Sequence, residues 1–231
     1  MISTRDALVA TLGALLVQMP AARLASAVLL DDGDIGAASG SAHAAAMAAY
    51  LLIPSLAGIA WIWFFAVWRE ADGWMRVGLY RPNQATLLRA VIAGLAGVLL
   101  VNIVIAITPD SFGTPMGPIV QIDHPVEGSV FLFRLVYILG AVVVAPVFEE
   151  LVFRGLLFSW VRRRFAFLGS AVIAALPHAA IHGDPAAIPA LTAVFVLFAW
   201  IFERERTLWA SIVAHGTYNA TVLVMVLMQI V

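Results

Sequence analysis

The sequence predicts an all-α, polytopic transmembrane helical bundle of about seven spans with a buried polar cavity. Three observations predict it. Hydrophobic residues make up 63% of the 231-residue chain and charged residues only 12%, where soluble domains are about 45 to 50% apolar. The apolar residues are gathered into runs long enough to cross a bilayer, and the charges between the runs alternate in sign.

A crossing of roughly 30 Å of hydrocarbon takes about 20 apolar residues. Seven runs qualify in order: Ala7–Leu30, Ala44–Trp68, Ala90–Ile107, Phe131–Trp160, Phe167–His182, Ala186–Phe202 and Leu208–Val231. The first contains Pro20 and Arg23, and the fifth is short. Arg5, the apolar stretch after it and the small residues Ala25 to Ala27 also imitate a signal peptide. The charge pattern favours keeping the run as a span.

Cytoplasmic loops carry the excess of Lys and Arg. Arg5 precedes the first run, and Asp31, Asp32 and Asp34 follow it. Arg69, Arg76, Arg81 and Arg89 surround the next connection, and Asp110, Asp123 and Glu127 occupy the one after. Arg162, Arg163 and Arg164 then alternate with Asp184, which precedes Arg204 and Arg206. This places the amino terminus in the cytoplasm and the carboxy terminus outside, the parity of seven crossings. The stretch 69–89, with Trp74, Met75, Leu79 and Tyr80 among its arginines, reads equally as a surface-lying segment or an ordinary basic loop.

A formal net charge of -1 gives no case for nucleic-acid binding, and the absence of cysteine excludes disulfides, thiolate ligands and a cysteine nucleophile. No linker or internal repeat of the transporter type divides the chain. Residues 1–231 read as one membrane domain.

Three polar constellations lie in the last four runs. Glu149 and Glu150 stand side by side, with Arg154 four residues after Glu150. A charge near the bilayer centre costs roughly 2.5 to 3.5 kcal/mol on insertion scales, so three together call for a function. Glu150 and Arg154 share a helix face and can neutralise each other, which leaves Glu149 as a carboxylate suited to general-base work. An internal salt bridge that only locks helices together is the plainer alternative. His178 and His182 are four apart in Pro-His-Ala-Ala-Ile-His-Gly, a spacing that could bind metal, although the Glu of a His-Glu-x-x-His site is absent. His182 also sits where Gly183 and Pro185 would end a helix. His215 and Asn219, again four apart, can direct hydrogen bonds at one point; on their own they read as interhelical packing glue.

Together the three resemble the CPBP family of intramembrane proteases, which includes CAAX prenyl endopeptidases of the Rce1 type and bacterial Abi proteins. Glu149, Glu150 and Arg154, extended by Phe153 and Gly155, match the family's Glu-Glu-x-x-x-Arg motif. His215 and Asn219 match its His-x-x-x-Asn motif, with Leu208 and Trp209 upstream. The Phe-x-x-x-His motif matches at His182, but His178 occupies the Phe position. The resemblance covers about Phe131 to Val231.

The resemblance implies an endopeptidase acting on a membrane-associated, CAAX-like substrate, in a membrane expected here to be a bacterial inner membrane. Glu149 would activate a water held by His182, His215 and Asn219 would stabilise the oxyanion, and Glu150 with Arg154 would orient the site. His178 would be a second polar group or a replacement for an aromatic wall. A zinc ion on Glu149, His182 and His215 and a metal-free glutamate mechanism both use these residues. Depth is a check: at about 1.5 Å per residue, Glu149 lies about 16 Å in from Trp160 and Asn219 about 16 Å in from Leu208. On the same count His178 lies about 15 Å and His182 about 21 Å in from Leu168. Depth favours His178 and motif spacing His182; spacing is preferred, because Pro177 puts a straight helix in doubt. A proton-coupled transporter or a bacteriocin-immunity-type protein is the competing reading.

Overall fold

Among the described residues, seven helices occupy the positions of the seven apolar runs. The computed structural model describes residues 3–29, 52–68, 70–109, 135–136 and 138–228. The helices are α1 (Thr4–Leu29), α2 (Leu52–Val67), α3 (Gln84–Ile107), α4 (138–161), α5 (Phe167–Ala180), α6 (Ile188–Glu205) and α7 (Leu208–Leu227). The described residues contain no β-strand. Residues 44–51 and 131–134 of the expected runs, Arg69, and the acidic positions Asp31, Asp32, Asp34, Asp110, Asp123 and Glu127 lie outside the described residues.

Among the described residues, two helical stretches, Gln84–Ile107 and Pro185–Glu205, have the length and hydropathy to cross a membrane. In the first, only 28% of the most apolar window is buried in the protein, so most of its apolar surface faces outward. Helix α5 differs from expectation. At 14 residues it rises about 21 Å, short of a full crossing, and ends at the left-handed Gly183 (φ 75°). Asp184 then caps the 3₁₀ turn Pro185–Ala187 by accepting from Ala186 N at 3.0 Å, and α6 returns alongside α5.

Packing divides the core around α4. On one side Ala7, Ala10 and Ala14 of α1 and Ile62 and Ala66 of α2 pack with Phe148, Leu151 and Val152. On the other, the small residues Ala90 and Ala93 of α3, Ala175 and Ala179 of α5, and Ala210 and Ala214 of α7 surround Val194, Phe195 and Phe198 of α6. Small residues let helix backbones approach where no hydrophobic force separates protein from lipid.

The basic segments share one end of the bundle. Arg76 pairs with Glu70 and with Asp6 of α1, and Arg164 donates to Thr4 Oγ1 at 3.1 Å. Arg162 bridges to Glu203 at 2.8 and 2.9 Å, and Arg89 to Glu205 at 2.7 Å twice. The α6–α7 turn is tied to the 70–83 segment by Leu208 N donating to Gly78 O at 2.7 Å. Trp160 and Trp200 lie beneath Arg164 and Arg204 at 4.6 and 5.3 Å from ring centre to guanidinium carbon, the aromatic placement of a membrane–water boundary.

Candidate functional site

Helix α4 presents its charged residues where its winding changes. Ala145–Glu150 is α-helical, flanked by π-helical Gly140–Val144 and Leu151–Phe158; π turns recur at functional sites because they re-aim side chains. Here Glu149 faces His178 of α5, Glu150 pairs with Arg154 on α4 itself, and both meet His215 of α7.

Glu150 and Arg154 form the ion pair expected from their spacing, at 3.0 Å, with side chains 0% and 1% exposed. Arg154 has four further contacts. Its Nη1 also meets Nδ1 of His178 at 2.7 Å, and its Nη2 donates to the backbone oxygen of Phe195 at 2.7 Å. The guanidinium lies 5.2 Å from the Phe195 ring centre and 5.8 Å from that of Phe198. Glu150 Oε1 accepts from Arg154 and from Nδ1 of His215 at 2.9 Å, so one oxygen serves two donors.

Glu149 faces the imidazoles. Its Oε2 lies 2.8 Å from His178 Nε2 and 3.6 Å from His215 Nε2. Its side chain is 18% exposed, against none for Glu150, so of the two carboxylates Glu149 is the one water can reach.

His178 is fully buried and sits between the rings of Phe153 and Phe195, with centroids 4.1 and 3.6 Å away and planes within 8° and 3° of parallel. It fills an aromatic slot with its faces and joins the polar network with its edges. The depth count therefore agrees with the contact geometry, and the doubt over Pro177 does not apply: α5 runs through Pro177 to Ala180. Neighbouring helices commonly allow proline within a membrane helix.

His182 is placed otherwise. It lies in the turn after α5, half-buried, with Nδ1 donating to His178 O at 2.9 Å, a bond that satisfies a carbonyl of the helix end. Its ring centre is 5.7 Å from that of His178.

Helix α7 reaches α4 because residue 216 is glycine: a Cβ there would stand 2.7 Å from the backbone oxygen of Val142. This approach brings His215 to both glutamates. One turn further, Asn219 Nδ2 donates to Ala141 O at 2.8 Å, joining α7 to the first π segment and leaving the second N–H of its amide for another acceptor.

The structure thus gathers Glu149, Glu150, Arg154, His178 and His215, sets Asn219 one turn away, and leaves His182 at the rim. The proposed zinc set Glu149, His182 and His215 does not fit. The Nδ1 contacts of His182 and His215 leave their Nε2 atoms open, but His182 stands in the turn after α5, away from Glu149 and His215, and the Arg154 cation lies against His178. Among the described residues no group of three or more His, Asp or Glu is arranged to hold a metal ion. The sequence reading missed Phe195, whose ring and carbonyl hold His178 and Arg154, and Gly216. The His-Gly pair 215–216 inside an apolar helix was the available signal for Gly216; nothing in the sequence singled out a backbone oxygen at 195.

These contacts join the motifs that carried the family resemblance, and a comparison of the whole chain with known families agrees. The model described as type II CAAX prenyl endopeptidase Rce1-like matches residues 131–221. Residues 131–221 are similar to the Rce1-like family. A relative in Bacillus subtilis (strain 168), named "Putative membrane peptidase YdiL", is 28% identical over 83 residues, which are 36% of this chain and 34% of that protein. The match spans about a third of the relative's length. No solved structure matches the chain. The Rce1-like segment runs from the residues before α4 into α7 and contains all seven candidate residues.

Proposed function

We propose that this Rce1-like protein is an intramembrane endopeptidase that hydrolyses a peptide bond of a membrane-associated, CAAX-like substrate, with Glu149 as the base that activates water. The observation that carries the reading is the pair of neighbouring carboxylates with unequal access. Glu150 is buried against Arg154 and His215, while Glu149 keeps exposed surface between two imidazole Nε2 atoms.

Proton positions follow from the donors. Arginine has no acceptor, so His178 Nδ1 accepts from Arg154 and its Nε2–H donates to Glu149. The carboxylate of Glu150 accepts from His215 Nδ1–H, so the neutral imidazole turns an unprotonated Nε2 toward Glu149. Water bound at Glu149 gives it a proton as its oxygen attacks the peptide carbonyl. His215 Nε2 can take up that proton, and the resulting imidazolium, held by Glu150, can donate to the oxyanion and then to the departing amine. The second N–H of Asn219 is a further donor toward the oxyanion. The scissile C–N bond breaks as the amine receives its proton, and the products are an acid and an amine. His178 takes the water-holding part that the motif spacing assigns to His182.

The orientation proposed with this reading puts the arginine-rich end in the cytoplasm and the protein in a bacterial inner membrane. The test is to incubate the purified protein in bilayers with membrane-tethered peptides in ¹⁸O-labelled water. Cleavage with one label in the new carboxylate supports the reading; intact peptides across a CAAX-like and a non-CAAX set count against it.

A further inference from the structure

The arginine-rich end carries a cleft that does not include the Glu149 centre. A cleft of about 560 Å³ opens at the basic end between the 70–83 segment, the end of α4 and the α6–α7 turn. Its walls include Arg162, Arg163, Arg206 and Tyr80, and Phe158 and Phe202 are its apolar floor. Glu203 also lines it, but that carboxylate is held by both sides of the Arg162 guanidinium. Arg163 and Arg206 are exposed, so the lining carries an excess of positive charge over an apolar base.

Arg206 adds an independent observation. It is the one non-glycine residue with positive φ among the described residues (58°), at the left-handed position that closes α6. Glycine is the usual residue there. Glycine would hold that conformation at lower cost, and the arginine present instead lines the cleft. Trp160 and Trp200 are each covered by an arginine one turn on, the arrangement of residues at headgroup depth.

We propose that this cleft binds a phosphate group, supplied by the headgroup of an anionic phospholipid whose first acyl carbons rest on Phe158 and Phe202. The site is separate from the Glu149 centre and does not depend on the proteolytic reading.

Lipid binding to the full chain in detergent, measured by native mass spectrometry, tests it with phosphatidylglycerol, phosphatidylcholine and inorganic phosphate. The wild type is expected to retain phosphatidylglycerol over phosphatidylcholine. Either Arg206→Gly or Arg163→Gln should weaken that retention about fivefold, the order of effect of one cation near an anionic surface. Arg206→Gly suits the backbone and should fold, which a melting curve checks. Competition by millimolar inorganic phosphate, with weakened phosphate binding in both variants, would keep the phosphate site but assign it to a free ion. Equal retention of the two lipids with no phosphate effect, or unchanged binding in both variants, overturns the proposal.

Discussion

Arg154 and His178 meet at 2.7 Å, guanidinium Nη1 to imidazole Nδ1, and this contact sets the proton order of the whole centre. Because arginine only donates, the imidazole must present its N–H to Glu149. A sequence motif assigned to salt bridging thereby fixes the tautomer of a histidine 24 residues away. That the contact is held from three sides, by Glu150, Phe195 O and the stacked rings, explains why a cation is retained in so apolar a place.

Replacing that cation should damage the fold before the chemistry. Arg154→Ala leaves Glu150 buried without its ion-pair partner, a change worth roughly 3 to 5 kcal/mol. The folded yield and melting temperature should fall clearly. A variant melting like the wild type would show that Glu150 is not held by this pair.

The two middle histidines should separate in activity. His178→Phe keeps a ring in the slot between Phe153 and Phe195, so the variant should fold, but it removes the donor to Glu149 and should lower turnover by about 10² to 10⁴. His182→Phe loses a helix-end hydrogen bond and should lower turnover by about tenfold or less. Rates for both variants would be compared at saturating substrate. A fast His178→Phe beside a dead His182→Phe would restore the order that motif spacing implied.

Helix α7 should tolerate no side chain at its contact with α4. Gly216→Ala places a methyl 2.7 Å from Val142 O, so the helices must part; overpacking of this kind costs about 1 to 3 kcal/mol. Activity should fall further than stability, since His215 moves with the helix. An Ala variant with wild-type turnover and melting would mean the approach is not tight.

The chain lacks cysteine, so introduced thiols report topology without background. Cysteines at Arg163 and Arg204 should be labelled by an impermeant reagent from the cytoplasmic face, and one at Asp32 from the opposite face. Labelling of all three from one side contradicts the alternation.

The helical bundle was legible because hydrophobic runs and loop charge act locally: each run must satisfy its own backbone in lipid. The contact of Glu150 with Arg154 and the approach of His215 and Asn219 to α4 were legible from i,i+4 spacing, and the separate placement of Glu149 from its lack of a local partner. Which of His178 and His182 lies against Glu149 was not. It depends on where α5 stops, and the helix continues through a proline that its neighbours accommodate. The π segments of α4 were equally hidden, since a five-residue hydrogen-bond step is imposed by packing and leaves no compositional mark. Phe195 O acts through a backbone atom, which every residue type carries.

The role of Glu149 is tested most directly by comparing wild type and Glu149→Gln for hydrolysis of a membrane-tethered peptide, with melting temperatures taken on the same samples. The amide keeps the shape and can still meet His178, but it cannot take a proton from water. The expected result is cleavage reduced by at least about 10² with melting within a few degrees of wild type. Cleavage by Glu149→Gln at the wild-type rate contradicts the account.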